Sequence, residues 1–228
     1  MSYDVLAIRR YPVKSMGGES LASVALDGRG LTGDRWWAVT DDEGHLASGK
    51  SSRRFRRRDG VFDYHAATGP DGVSVTGLRG TWAVGDPALD EELATALGDR
   101  CRVAEESDTP HQDAGSVSLV GTASLAWCGD RWDLDPDPRR LRVNLVVETS
   151  EPFVEETWVG RDIAVGTARL RVVQRVERCR MIDLAQDGAE APVRWLKPLA
   201  VERDMSLAVY ADVSRPGTIS VGDEIVVS

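Results

Sequence analysis

Punctuation constrains this chain more than any other feature. Short apolar runs alternate with Gly, Asp and Pro turns along most of its length, and only one stretch has a complete set of helix signals. Val5 to Tyr11 reads as a strand that Pro12, lacking an N–H for a ladder, must end or bend. Leu21 to Leu26 reads as a strand closed by Asp27-Gly28. Trp36 to Thr40 reads as another, closed by Asp41 to Gly44, and Val73 to Val75 as a fragment between glycines. The helix lies near 87–97. Asp86 can cap it, Pro87 suits its first turn, Leu89, Leu93 and Leu97 share a face, and Gly98 stops it. A second, shorter helix is expected near Thr122 to Cys128. Val117 to Val120, Leu141 to Glu148 and Arg169 to Val172 read as strands, and Thr218 to Val227 as a hairpin about Gly222-Asp223. The fold class is therefore mainly β with a few helices (α+β), barrel-like in architecture. A polar junction at Ser107 to Gly115 divides it into 1–108 and 109–228.

A chain of 228 residues with 42% apolar composition can bury a sizeable core. Its formal net charge of −9 argues against a general nucleic-acid binder. The arginine-rich run Arg53 to Arg58 reads as a solvated loop, since no recognition motif accompanies it. The N-terminus lacks the pattern of a signal peptide, and no apolar run approaches a membrane span, so a cytoplasmic protein with no membrane partner is expected. The three cysteines, Cys101, Cys128 and Cys179, are widely spaced without a Cys-x-x-Cys, which disfavours structural zinc or a disulfide framework.

Several motifs fail on context. Gly28-Arg-Gly-Leu-Thr-Gly33 fits the spacing of a dinucleotide fingerprint, but strand-like residues follow it where a helix is required. His111-Gln-Asp113 has no further histidine at ligand spacing and reads as part of the polar junction. Cys101 and Cys128 sit among apolar neighbours and read as inert buried thiols. Cys179 differs, because Arg175, Arg178 and Arg180 surround it in sequence. Positive charge favours the thiolate, so Cys179 is a candidate nucleophile or soft metal ligand. If it lay in a strand, both adjacent arginines would point to the opposite face. Lys14, one of few lysines, with Ser15 and Arg35, supplies donors and charge suited to a phosphate.

The order of motifs adds a resemblance. Tyr11-Pro-Val-Lys14-Ser15 followed by Gly30-Leu-Thr-Gly-Asp34-Arg35-Trp resembles the opening of MOSC-family proteins. Ser118-Leu-Val-Gly-Thr122-Ala-Ser124-Leu and Arg140-Leu-Arg142-Val-Asn144 are similar to later segments of that family, with Val143 where proline is usual. Arg178-Cys179 matches its characteristic cysteine, and Tyr210 ahead of Pro216-Gly-Thr218 completes the series. The resemblance implies an N-terminal β-barrel domain packed on a MOSC β-barrel domain and a molybdenum–molybdopterin cofactor. Cys179 would ligate the metal and act as the catalytic residue. Lys14, Ser15, Arg35, Thr122, Ser124, Arg142, Asn144 and Tyr210 would hold the pterin and phosphate. Arg142 and Asn144, read as one strand, would face the pterin together.

The family includes amidoxime-reducing enzymes and the C-terminal domain of molybdenum-cofactor sulfurases. The expected activity is an oxidoreductase that reduces small N-hydroxylated or related N–O substrates. Electrons would come from a separate iron–sulfur or flavin protein, since the sequence ends at Ser228 with no appended iron–sulfur domain. The alternatives are a sulfurtransferase with a Cys179 persulfide, fed by a sulfur donor, and a non-catalytic cofactor binder. After the cysteine, many family reductases turn at Asp-Pro; here the chain reads Arg180-Met-Ile-Asp183-Leu-Ala-Gln186-Asp187-Gly188.

Overall fold

The computed structural model describes residues 3–191 and 193–228. The first half runs β1 (Tyr3–Arg10), β2 (Glu19–Leu21), β3 (Ser23–Asp27), β4 (Gly30–Leu31), β5 (Trp37–Asp41), β6 (Leu46–Ser48) and β7 (Phe55–Arg57). After a 3-10 turn at Asp59–Asp63 come β8 (His65–Gly69), β9 (Gly72–Gly77), β10 (Gly80–Ala83), α1 (Pro87–Leu97) and β11 (Cys101–Glu105). The second half runs β12 (Val117–Gly121), α2 (Thr122–Trp132), β13 (Leu145–Val147), β14 (Asp162–Val165) and β15 (Ala168–Glu177). It closes with α3 (Leu196–Glu202), β16 (Ser206–Arg215), β17 (Gly217–Ser220) and β18 (Glu224–Val227). Mainly β with a few helices is what the structure shows.

A closed seven-strand barrel dominates the second half. Its strands run in the order β13-β12-β16-β15-β14-β18-β1, and pairing of β1 with β13 shuts the circle. The parallel pair β12–β13 has α2 in its crossover, while the other barrel pairs are antiparallel. The interior is apolar: Val5, Ile8, Leu119, Leu145, Ile163, Leu170 and Val209 are all essentially inaccessible. Strand β1, from the start of the chain, is thus a stave of a barrel otherwise built from residues 117–227. A second core, with Val39, Val61, Phe62, Leu89 and Leu93, belongs to the first half. There, the sheet β11-β5-β6-β7 and the sheet β10-β9-β8 pack with α1. Gly30 adopts φ 122° and lies against the Ser116 carbonyl, where a Cβ would come within 2.2 Å. Close backbone approach, not nucleotide binding, explains this glycine.

Two local expectations need correction. Residues 218–227 form no hairpin. β17 pairs with β3 and β18 with β14 and β1, so the Gly222-Asp223 turn hands the chain from one sheet to another. The strand expected over Leu141 to Glu148 is shorter. Pro138–Leu141 is a 3-10 turn, Arg142 is left-handed at φ 53°, and β13 begins only at Leu145. Arg142 and Asn144 therefore share no strand face. No helix among the described residues is long and apolar enough to cross a membrane.

Candidate functional site

Tyr11 to Gly18 leaves the barrel at the end of β1 and is pinned to the first half. Lys14 N–H donates to the Trp37 carbonyl (2.8 Å), and Gly17 N–H to that of Tyr64 (2.8 Å). The Ser15 hydroxyl donates to the Ala47 carbonyl (2.9 Å). The turn after β4 is fastened to the same segment: Tyr11 N–H donates to the Asp34 carboxylate (2.8 Å), and Arg35 N–H to the Tyr11 carbonyl (2.8 Å). Ser15 (φ 72°), Arg35 (φ 53°) and Arg142 (φ 53°) all hold left-handed backbone conformations, which L-residues adopt at some cost.

From the barrel side, a register shift between Val172 and Gln174 redirects the end of β15. Upstream, Leu170 and Val172 fill the barrel; downstream, Val176 packs in a different core, with Ile182 and Leu207. The strand stops at Glu177, so Cys179 is not in it. Cys179 stands in extended backbone at the head of a 3-10 turn, Arg180–Asp183. The concern about opposite strand faces therefore does not arise. Arg180 leaves toward the first half, where its guanidinium grips both oxygens of Asp59 (2.9 and 2.7 Å) and the Gly49 carbonyl (2.7 Å).

These segments form a cleft lined by Lys14, Ser15, Arg35, Arg142, Cys179 and Tyr210 among others. It brings together six of the residues singled out in the sequence. It also recruits Asp113, Arg140, Arg178 and Met181. The guanidiniums dominate. Arg178 donates to the carbonyls of Leu207 (2.8 Å) and Leu141 (2.7 Å), which leaves Nη2 buried with no partner. Arg142 lies over the Tyr11 ring at 4.3 Å, and both its terminal nitrogens are buried without a partner among the described residues. Arg35 pairs with Asp34 and donates to the Arg142 carbonyl (3.0 Å). Burial pushes Arg142 and Arg178 each down to about 10. Nε of Arg140, on the same wall, is also buried with no partner among the described residues, and an unmet buried donor costs about 1–3 kcal/mol, more when charged.

One carboxylate opposes them. Asp113 meets Lys14 Nζ at 3.0 Å and Arg54 at 3.7 Å. Burial raises its pKa, but Lys14, Arg35 and Arg54 outweigh that and hold it at about 2. Burial likewise brings Lys14 down to about 8, against the pull of Asp113. Tyr210 is raised, by burial first and by Asp113 next. Sequence reasoning assigned Asp113 to the junction. The available signal was that a buried lysine needs a counter-ion, and nothing local says which acid supplies it. Its neighbour His111 is buried and contacts the Arg35 carbonyl (3.2 Å).

Three expected site residues lie elsewhere or are already engaged. Ser124 is fully buried and donates to Glu155 (2.7 Å), which also accepts from Gly121 N–H (3.1 Å). Thr122 exchanges bonds with the Thr149 backbone (3.3 and 3.0 Å). Neither lines the cleft; the protein's own Glu155 and Thr149 sit at the start of α2, where an anion was expected. Asn144 borders a small side recess, but its carbonyl oxygen accepts from Ser118 N–H and Oγ (3.0 Å each) and its amide donates to the Arg9 carbonyl (3.3 Å). It ties three strands together.

Cys101 and Cys128 are buried, and burial pushes their thiols up to about 11 and 12. Cys179 alone of the three is partly accessible. Among the described residues no three His, Cys, Asp or Glu side chains are grouped to hold a metal. A metal at Cys179 would need ligands brought by its own organic group. The donor set fits a ligand with an anionic, oxygen-rich end for the unmet guanidinium N–H groups and a soft metal for the sulfur.

The MOSC domain matches residues 107–226, and the MOSC N-terminal beta barrel domain matches residues 2–56. The chain is 24% identical over 244 residues to the molybdenum cofactor sulfurase of Oryza sativa subsp. japonica, covering 83% of this chain and 29% of that protein. It is 21% identical over 277 residues to the Homo sapiens protein of the same name, covering 94% and 31%. The chain thus spans about a third of the length of these relatives. The solved YuaD protein from Bacillus subtilis has the same fold, with a TM-score of 0.52 at 14% identity, covering 100% of this chain and 96% of that one. With more than half of its residues matched by one domain and the matching N-terminal domain ahead of it, the chain belongs to the MOSC domain family, a molybdenum-cofactor-binding family.

Proposed function

We propose that the cleft holds a molybdenum–molybdopterin cofactor and that the protein is an oxidoreductase acting on small N-hydroxylated or related N–O compounds. Electrons would come from a separate iron–sulfur or flavin protein. The observation that carries this reading is the set of four guanidinium nitrogens, on Arg140, Arg142 and Arg178, buried and unpartnered among the described residues in a cleft that also contains a free thiol. When bound, the cofactor supplies two-electron oxygen-atom transfer. The chain's own residues do the rest. Arg142 and Arg178 donate to the anionic end, and Lys14 and Arg35 add charge. The Cys179 thiolate is a soft ligand for a metal already held by sulfur. The Arg180–Asp59 pair fixes the turn that presents that sulfur.

A second reading, sulfur transfer through a Cys179 persulfide, is favoured by the relatives named molybdenum cofactor sulfurase. Both readings use the same cleft. The test is metal analysis of protein made in a cofactor-producing host. The proposal expects roughly one molybdenum per chain, lost in Cys179→Ser without loss of fold, together with reduction of hydroxylamine-type compounds by a reduced dye. A persulfide adduct on Cys179 without molybdenum overturns the oxidoreductase reading in favour of sulfur transfer. Bound cofactor with no turnover leaves a carrier.

A further inference from the structure

We infer that a second recess, which meets the cofactor cleft at Cys179, is the substrate chamber and selects small anionic molecules, carboxylates above all. Lys50 and Arg175 would recognise the charge. The inference rests on reading the first cleft as the cofactor's. The second recess is open to solvent and includes Lys50, Phe55 and Arg175 in its lining. Lys14, Asp113, Glu177, Cys179, Met181 and Tyr210 line both spaces, so a molecule in the second lies beside the sulfur without entering the wall formed by Arg142 and Arg178.

The charges that line this recess are unequally neutralised. Lys14 is held by Asp113, as is Arg54 just outside it. Lys50 has no carboxylate partner among the described residues. Its ammonium lies instead 5.1 Å from the centroid of the buried Phe55 ring. Arg175 has only a long contact to Glu156, 3.7 Å, and its side chain is 42% exposed. Two carboxylates oppose them: Asp113, engaged by Lys14 and Arg54, and the exposed Glu177. In a chain of net charge −9, a half-buried lysine set against an aromatic floor next to the one accessible thiol is a placed cation, not random surface charge. Low-dielectric walls focus such a field and raise the local concentration of anions. Phe55 and Met181 give the recess an apolar face for the body of the molecule.

The test uses the full chain without cofactor and two alkylating reagents of similar size, anionic iodoacetate and neutral iodoacetamide, followed at Cys179 by mass spectrometry. Cys101 and Cys128 are buried with raised pKa values and stay silent. Lys50→Gln combined with Arg175→Gln is expected to lower the iodoacetate-to-iodoacetamide rate ratio about five- to tenfold, with high salt reproducing most of the loss. Glu177→Gln is expected to raise the ratio about two- to threefold, so the proposal is tested from both directions. A ratio that stays within about twofold of wild type in both variants, with melting unchanged, overturns it. Molybdenum content judges the cofactor reading separately, so failure of one is not confused with failure of the other.

Discussion

Two buried polar clusters lie near opposite ends of β12, one beside Ser118 and the other at Gly121, and they differ in one respect. At the start of α2, Glu155 is completely buried, yet each of its oxygens is met: by Ser124 Oγ at 2.7 and 2.9 Å and by Gly121 N–H at 3.1 Å. Ser124 Oγ in turn accepts from Phe153 N–H (2.7 Å), and Thr149 Oγ1 from Ala123 N–H (3.1 Å). Gly121 leaves room for this arrangement, since a Cβ there would come within 2.6 Å of Thr149 and 2.8 Å of Glu155. In the cleft, by contrast, Arg142 and Arg178 keep buried N–H groups with no partner among the described residues. A closed polar network specifies a fold, whereas one with buried donors left unmet is suited to a ligand. In sequence both look alike, as polar residues in motif-like runs.

The comparison breaks most visibly at Glu155. Glu155→Ala orphans Gly121 N–H and leaves a hole beside Ser124. It should cost about 3 kcal/mol of stability, read from denaturant unfolding. Its effect on cofactor retention should follow from that loss of fold alone. Arg142→Met should do the opposite. It keeps the packing on Tyr11 and removes a buried charge whose terminal nitrogens have no partner, so the empty chain should melt no lower than wild type. Molybdopterin retention should fall about 30-fold, roughly 2 kcal/mol, the worth of a charge-assisted hydrogen bond. A stable Glu155→Ala or an unstable Arg142→Met would reverse the assignment of the two clusters.

Lys14 gives a smaller effect with a definite sign. Its pKa is lowered to about 8 in the fold against 10.5 for the free side chain. The folded chain therefore binds this proton less readily than the unfolded one. The stability penalty of holding the buried ammonium is fully present below about pH 8 and is relieved as pH rises from there toward 10.5. Anion binding runs the other way, because the folded lysine loses its charge as pH rises through about 8. Affinity of the cleft for a phosphate-bearing ligand should fall about tenfold between pH 7 and 9, and Lys14→Arg should flatten the profile. Equilibrium dialysis across that range reads it directly.

How far the sequence is legible depends on whether the deciding interaction is local. Asp86, Pro87 and Gly98 do delimit α1: the Asp86 side chain accepts from Ala88 N–H, and Gly98 is left-handed at φ 72°. Cap chemistry lies within a few residues of the element it ends. The motifs around Lys14, Arg35, Cys179 and Tyr210 likewise mark residues that the fold brings to one cleft. Non-local decisions fail. Gly222-Asp223 is a sound turn, but which sheet receives each arm depends on β3 and β14, far away in the chain. Arg142 follows a 3-10 turn whose last residues the apolar run Leu145 to Val147 disguised as strand. Thr122 and Ser124 have the right chemistry for an anion, and only the fold reveals that Glu155 and Thr149 engage them. Of the basic run, Arg56, Arg57 and Arg58 meet Glu43, Asp59, Asp41 and Asp99, acids scattered across the sequence, and Arg54 reaches Asp113.

The smallest expected effect sharpens the comparison at Tyr11, where the two kinds of cluster meet in one side chain. Its ring is a platform for Arg142 (4.3 Å), Arg35 (5.1 Å) and Arg9 (5.9 Å), while its hydroxyl is buried with no partner. Burial, above all, raises its pKa, so the phenol stays neutral and cannot serve as a counter-charge. Tyr11→Phe preserves the platform and deletes only the unmet group. The empty chain should gain about 0.5–1 kcal/mol, and cofactor retention should stay within about threefold of wild type. A fall in retention as large as that of Arg142→Met would instead put the hydroxyl among the ligand's donors. The open cluster would then extend behind Arg142, and the cofactor would reach deeper toward β1 than the present cleft does.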